Sequence, residues 1–234
     1  EKVLSIAIST LKKEGFSRLS VFTINNHLNE LENVVLKLEN EGFVVVKPKK
    51  DSLVREGQVF GCYYVGPISV KDDVDACLFL GQSIFHAVGI HLTTKKPTFM
   101  LDPFFNKVKD VSIEAKKMEK RAILSVLKAL NSRNFAVIFG LKGSQFQKYK
   151  ALKLKKDLEL LGKKIYLMAM REIVPDRLNA MSNIDAFIIL ACPRIALDVT
   201  GFKKPVLSHL QTKALVKLLK GQKTVEIFEE GVWI

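Results

Sequence analysis

Apolar positions along the chain follow two alternating rhythms. In "VLSIAISTLKK", from Val3, they fall at spacings of three and four, which predicts a helix. "RLSVFT" then reads as a short apolar strand, and "INN" as a polar turn that can open a helix. Leu28, Leu31, Val35 and Leu38 share the face of that next helix, Gly42 stops it, and "FVVVKP" follows as a strand. "VDACLFLGQ", residues 74–82, is apolar without alternation, as expected of a strand covered on both faces of a parallel sheet. "KKPTFMLD" supplies another strand.

The same order then returns. "AILSVLKALNSRNF", from Ala122, answers "VLSIAISTLKKEGF", and "AVIFGLKGS" answers "RLSVFTINN". Ala151, Leu154, Leu158 and Leu161 lie on one helical face before Gly162, and Ser144 and Gln147 are spaced as a capping box at its start. "KIYLMAM" is the following strand. "IDAFIILAC", residues 184–192, repeats "VDACLFLGQ", and "KKPVLSHL" repeats "KKPTFMLD". The pattern predicts two tandem, duplicated α/β domains over 1–110 and 111–234, each with a small, mostly parallel sheet flanked by helices. The second unit carries extra helical sequence, "VSIEAKKMEKR", ahead of its match to the first. The first begins near the middle of that pattern, so further sequence is expected upstream of Glu1.

With 48% hydrophobic residues, the chain can build a sizeable core. No apolar run reaches the ~18 residues of a membrane span, and no secretory leader is visible. Three cysteines are too few, and odd in number, for a disulfide framework, so a reducing cytoplasm is the expected setting. The net charge of +13 favours an acidic partner. The lysines are spread along helices, as in Lys116, Lys117, Lys120 and Arg121, and again in Lys148, Lys150, Lys153, Lys155 and Lys156. A solvated lysine-rich surface explains that spread better than a dedicated nucleic-acid face, and no nucleic-acid-binding motif accompanies it.

Candidate chemistry centres on the cysteines. Cys192, in "ACPRIALD", follows a strand where an open α/β sheet binds ligands, and Pro193 biases it away from helix. Arg194 could lower its pKa or bind an anion, while a small buried core thiol remains an equal alternative. Cys62 lies in "EGQVFGCYYVGP", a loop bracketed by Gly57 and Gly61 and closed by Gly66-Pro67, where a thiol is a better ligand candidate than core filler. Cys77, inside "DACLFL", reads as core. There is no Cys-x-x-Cys pair, which speaks against a zinc ribbon or a ferredoxin-type site, while two isolated cysteines from different domains could still meet at a domain interface. His86 and His91 lack the intervening Glu of a zinc protease helix, though His86, like Gln82, follows a strand end and could line a cleft. "FGLKGSQ" lacks phosphate-loop spacing.

In combination, "GQVFGC", "DACLFLGQSIFHAVGIHLTTKKPTFMLDPF" and "EIVPDRLNAMSNIDAFIILACPRIALD" resemble, in order, the diphthamide biosynthesis enzymes, the 2-(3-amino-3-carboxypropyl)histidine synthases, in their archaeal form. The resemblance implies three similar α/β domains around a cleft, each giving one cysteine to a [4Fe-4S] cluster with one iron open. It also implies S-adenosylmethionine as substrate, cleaved to a 3-amino-3-carboxypropyl radical. That group is transferred to a histidine of translation elongation factor 2. A homodimer is implied too.

Carried over by motif, Cys62 and Cys192 match two of the cluster cysteines, and Cys77 matches none. Arg194, His86 and Gln82 are candidates for holding S-adenosylmethionine. The family's first domain and its cysteine have no counterpart in this chain. The chain then reads as the middle and C-terminal domains of the enzyme, inactive without the third cysteine. Two alternatives stay open: a non-catalytic scaffold or partner subunit, and a basic nucleic-acid-binding protein.

Overall fold

The computed structural model describes residues 2–49, 51–224 and 226–234. It is an α/β structure with two sheets and two compact units, residues 1–117 with 230–232, and 118–229 with 233–234.

In the first unit, α1 (Lys2–Lys13) leads into β1 (Arg18–Thr23), α2 (Leu28–Asn40) and β2 (Val44–Val45). Then follow α3 (Val65–Val70), β3 (Ala76–Leu80), α4 (Ile84–Thr94), β4 (Thr98–Asp102) and β5 (Lys107–Asp110). The sheet order is β2-β1-β3-β4-β5, all parallel except β5, which pairs antiparallel with β4. Both faces of β3 are buried. Leu19, Val21, Ala76, Leu78 and Leu80 share one core with Leu4, Ala7 and Leu11 of α1 and Leu38 of α2. The alternate residues, Phe22, Cys77 and Phe79, are buried too, and by the two-residue strand period they belong to the opposite face.

The second unit repeats the plan. α5 (Ser112–Leu130) precedes β6 (Asn134–Gly140), α6 (Lys148–Glu159), β7 (Lys164–Met170) and α7 (Pro175–Asn179). β8 (Ala186–Leu190), α8 (Arg194–Leu197), β9 (Val206–Leu207) and α9 (His209–Leu219) complete it. The order β7-β6-β8-β9 is wholly parallel.

An aspartate fixes the start of the central strand in both units. Asp75 accepts from the Ser17 and Arg18 amides (2.9 and 2.8 Å), and Asp185 from those of Arg133 and Asn134 (3.0 and 2.7 Å). These bonds hold both carboxyls below the usual range, the Arg18 amide being the main cause at Asp75 and the Asn134 amide at Asp185. The pairing also corrects the alignment of the repeat. Leu19 pairs with Ala76 as Phe135 pairs with Ala186, so Phe135 answers Leu19 and not Phe16, a shift of three residues. The two phenylalanines look alike in sequence, yet Phe16 precedes its strand and packs edge-on against Phe99.

Local readings differ in three places. Gly66-Pro67 does not close a loop but sits in the first turn of α3, where proline costs no hydrogen bond. α6 begins at Lys148 with Gln147 at its N-cap, and the side chain of Ser144 lies outside the described residues. A capping box instead opens α9, between Ser208 and Gln211. No helix among the described residues is long and apolar enough to cross a membrane.

Candidate functional site

In each sheet the strand order reverses between two adjacent parallel strands, β1 and β3 in the first unit and β6 and β8 in the second. Past the carboxyl ends of such strands the flanking loops diverge and leave a crevice, the usual ligand site of an open α/β sheet.

The Cys62 loop is tied to that point of the first sheet. The Thr23 amide, at the end of β1, donates to the Gly57 carbonyl (2.8 Å), and the Val59 amide donates back to Thr23 (2.9 Å). Gly57 has φ +72, and a Cβ there would lie 2.4 Å from Leu31 Cδ2, so only glycine fits this passage. Phe60 and Tyr63 then exchange two backbone hydrogen bonds (3.3 and 3.1 Å), closing a tight turn with Gly61 and half-buried Cys62 at its tip. A Cβ on Gly61 would meet the Phe85 ring at 3.2 Å and His86 Nε2 at 3.5 Å, so the turn presses on the start of α4.

Neighbouring residues clamp the turn. The Tyr63 hydroxyl donates to Asp51 Oδ2 (2.7 Å), which raises the tyrosine's pKa. The Leu53 amide, with this hydroxyl second, holds Asp51 below the carboxylate range. Fully buried Tyr64 crosses α4 at Gly89, and its amide donates to the Gly231 carbonyl (2.6 Å). Nothing in the local sequence marks the Tyr64–Gly89 crossing or the return of residues 231–232.

His86 is the sequence candidate that the structure brings to this turn. Its ring stacks on Phe79 (5.8 Å, 2°) and meets Phe85 edge-on (6.2 Å, 90°). Its Nδ1 lies 2.6 Å from Ser83 Oγ, so rings on two sides and a hydroxyl hold the imidazole in place. Gln82 is exposed at the end of β3, directly after Gly81.

In the second unit, Cys192 is half-buried two residues beyond β8. Pro193 is the N-cap of α8, and the Cys192 carbonyl accepts from the Ile195 amide (3.1 Å). The thiol is thereby presented from a fixed corner. Arg194 forks onto Asp198 Oδ2 through Nε (3.0 Å) and a terminal nitrogen (2.5 Å). Both partners are partly exposed, at 52% and 33%, so the pair contributes only about 0.5 kcal/mol.

Cys77 is a different kind of thiol. Complete burial pushes its pKa to about 12, against a smaller opposing effect of a hydrogen bond with Thr94. A thiol that stays protonated is a poor ligand. Among the described residues, no three His, Cys, Asp or Glu side chains converge as a metal site. Each unit thus has one half-buried thiol, Cys62 in the first and Cys192 in the second.

Residues 1–226 match the family described as "Putative diphthamide synthesis protein". The chain is 30% identical over 214 residues to 2-(3-amino-3-carboxypropyl)histidine synthase from Pyrococcus horikoshii, covering 90% of this chain and 60% of that protein. It is 29% identical over 221 residues to subunit 1 of the Schizosaccharomyces pombe synthase, covering 90% of this chain and 50% of that one. The crystal structure of Dph2 from Pyrococcus horikoshii with a 4Fe-4S cluster superposes with a TM-score of 0.85 at 28% identity, over 99% of this chain and 65% of that one. The chain thus spans between half and two-thirds of the length of these relatives.

Proposed function

Because the chain belongs to the diphthamide synthesis family, we propose that it forms part of a 2-(3-amino-3-carboxypropyl)histidine synthase. Cys62 and Cys192 each give one thiolate to a [4Fe-4S] cluster, and the third comes from outside these residues. The observation that carries this reading is positional. Of the three cysteines, the two half-buried ones stand beside the strand-order reversals of their sheets, while the third is sealed in the core. The donors fit the group, since iron–sulfur clusters are held by thiolates and Cys77 is too deeply buried to become one.

Once bound and reduced, such a cluster would supply the electron for cleaving a sulfur–carbon bond of S-adenosylmethionine, and the 3-amino-3-carboxypropyl group would pass to a histidine of elongation factor 2. The chain's own residues hold and orient. The Tyr63–Asp51 bond and the Tyr64–Gly89 crossing fix the turn that presents Cys62. His86, beside the turn, and exposed Gln82, just after β3, are the groups that hydrogen-bond S-adenosylmethionine in this reading. Arg194 exchanges Asp198 for the substrate's carboxylate, a trade that costs little because the pair is exposed. The working form is a homodimer in the cytoplasm.

The test is anaerobic iron and sulfide reconstitution of the full gene product beside its Cys62→Ala, Cys192→Ala and Cys77→Ala variants. The reading requires about four irons per chain with the charge-transfer absorption of thiolate-bound iron. Both properties are lost or depleted in the first two variants and retained in the third. Absence of iron in the wild type would favour a scaffold without a cluster.

A further inference from the structure

α6 and α9 together carry a concentration of positive charge unusual even for this basic chain. α6 holds Lys148, Lys150, Lys153, Lys155 and Lys156 against Asp157 and Glu159, and α9 adds Lys213 and Lys217 with no acid. Seven lysines less two acids leave +5 on two helices, of +13 for the whole chain. Between them runs a groove of about 630 Å³. One face of each helix lines it. On α6 these are positions 149, 150, 153, 154 and 157, and on α9 positions 209, 212, 213, 216 and 217. Both sets follow the helical period, so the groove runs along the helices for about two turns, or ~12 Å.

Its surface is not simply cationic. Leu154, Val216 and Tyr149, which is 86% exposed, supply an apolar floor, and Lys150, Lys153, Lys213 and Lys217 stand along it. Lys150 already holds an oxygen, the Ile234 carbonyl at 2.7 Å, and Lys217 pairs with Glu229. Exposed apolar surface rimmed by four lysines and one aspartate, a net positive edge, matches a partner that is apolar on one side and mainly acidic at its edges. Nucleic acid fits less well. A single-strand site tracks phosphates with stacked aromatic platforms, whereas this lining has one aromatic ring apart from His209.

We propose that the α6–α9 groove is a docking site for an acidic amphipathic helix of a protein partner. The helix lays its apolar face on Tyr149, Leu154 and Val216, and its carboxylates meet the four lysines. This is the helix-in-groove mode of recognition, with anchors at i, i+3, i+4 and i+7. The site stands independently of the chemistry at Cys62 and Cys192.

The test uses a fluorescent 16-residue peptide of Leu, Ala and Glu, with Leu at i, i+3, i+4 and i+7 and Glu along both edges, titrated by anisotropy. Three variants of the full chain accompany the wild type. Lys153→Glu/Lys213→Glu reverses the groove charge, Tyr149→Ser removes exposed apolar surface, and Lys116→Glu/Lys120→Glu makes the same charge change on α5. Salt-sensitive binding is expected, weakened roughly tenfold by the groove reversal and several-fold by Tyr149→Ser, and little by the α5 control. Three results would each overturn the proposal: no binding by the wild type, equal loss in the α5 control, or equal affinity for a peptide with Leu replaced by Gln. A uridine oligonucleotide that binds more tightly than the peptide and depends on the same two lysines would reassign the groove to nucleic acid.

Discussion

Replacing Gly89 by Ala probes the support of the Cys62 turn directly. An Ala Cβ would stand 2.1 Å from Cζ and Oη of Tyr64 and 2.6 Å from Cε1, where carbon contacts settle at about 3.5–4.0 Å. One side must retreat by roughly 1.5 Å. Tyr64 has no room, being fully buried with its amide bonded to Gly231. Overpacking of this kind costs about 1–3 kcal/mol, and the severity of the overlap places it near the upper figure. Against that, Ala is a better helix residue than Gly by up to about 1 kcal/mol. The net expectation is a loss of about 2 kcal/mol in the first unit. Trp233 belongs to the other unit, so tryptophan fluorescence is the wrong probe. Hydrogen exchange at the Tyr64 and Ile68 amides, both backbone-bonded, reads the region itself. The decisive comparison repeats the change in a Tyr64→Ala background. With the ring gone, Gly89→Ala should become neutral or stabilising by up to about 1 kcal/mol. Gly89→Ala that leaves protection unchanged with Tyr64 present would refute the crossing.

Other consequences follow from the same structure. Asp75 and Asp185 have lowered folded-state pKa values, so the stability they contribute is present above the unfolded carboxylate pKa, near 4, and is lost as pH falls through the folded value. Asp75→Asn and Asp185→Asn should each cost about 1–3 kcal/mol at neutral pH and flatten the acid limb of a pH–stability profile; an unchanged limb would contradict this. Under native conditions without iron, iodoacetamide should label Cys62 and Cys192 and spare Cys77, read by peptide mass spectrometry; labelling of all three at similar rates would place Cys77 outside the core. Arg194→Lys should change stability by less than about 0.5 kcal/mol while weakening S-adenosylmethionine binding to the reconstituted enzyme; unchanged affinity removes the arginine from the site.

Much of this architecture could be read from the apolar rhythm. β7 falls on "KIYLMAM", and β3 and β8 lie inside the runs expected of strands buried on both faces. The short elements were harder to see. β2 keeps only two residues of "FVVVKP", Val44 and Val45, and the Val46 amide makes one more bond to β1, at the Leu19 carbonyl (2.7 Å). β5 was hidden because "KVKD" is largely exposed at a sheet edge and has little apolar signal. For the candidate site, the turn glycines and the Pro193 corner were visible as local punctuation. The Tyr63–Asp51 bond and the Tyr64–Gly89 crossing join residues 12 and 25 positions apart, and no local period records such meetings. His86 could be named from its place after a strand, but its closeness to Gly61 follows only from the packing of α4.

In the proposed function, Cys62 and Cys192 serve one group-transfer reaction. The most direct measurement incubates the reconstituted full gene product, under reducing anaerobic conditions, with elongation factor 2 and S-adenosylmethionine labelled in its aminocarboxypropyl carbons. Peptide mass spectrometry then reads the factor. Label is expected on one histidine, carried as an intact 3-amino-3-carboxypropyl group, and none when either cysteine is replaced by alanine. Transfer that persists in both alanine variants, or an unlabelled factor despite a fully assembled cluster, would contradict it.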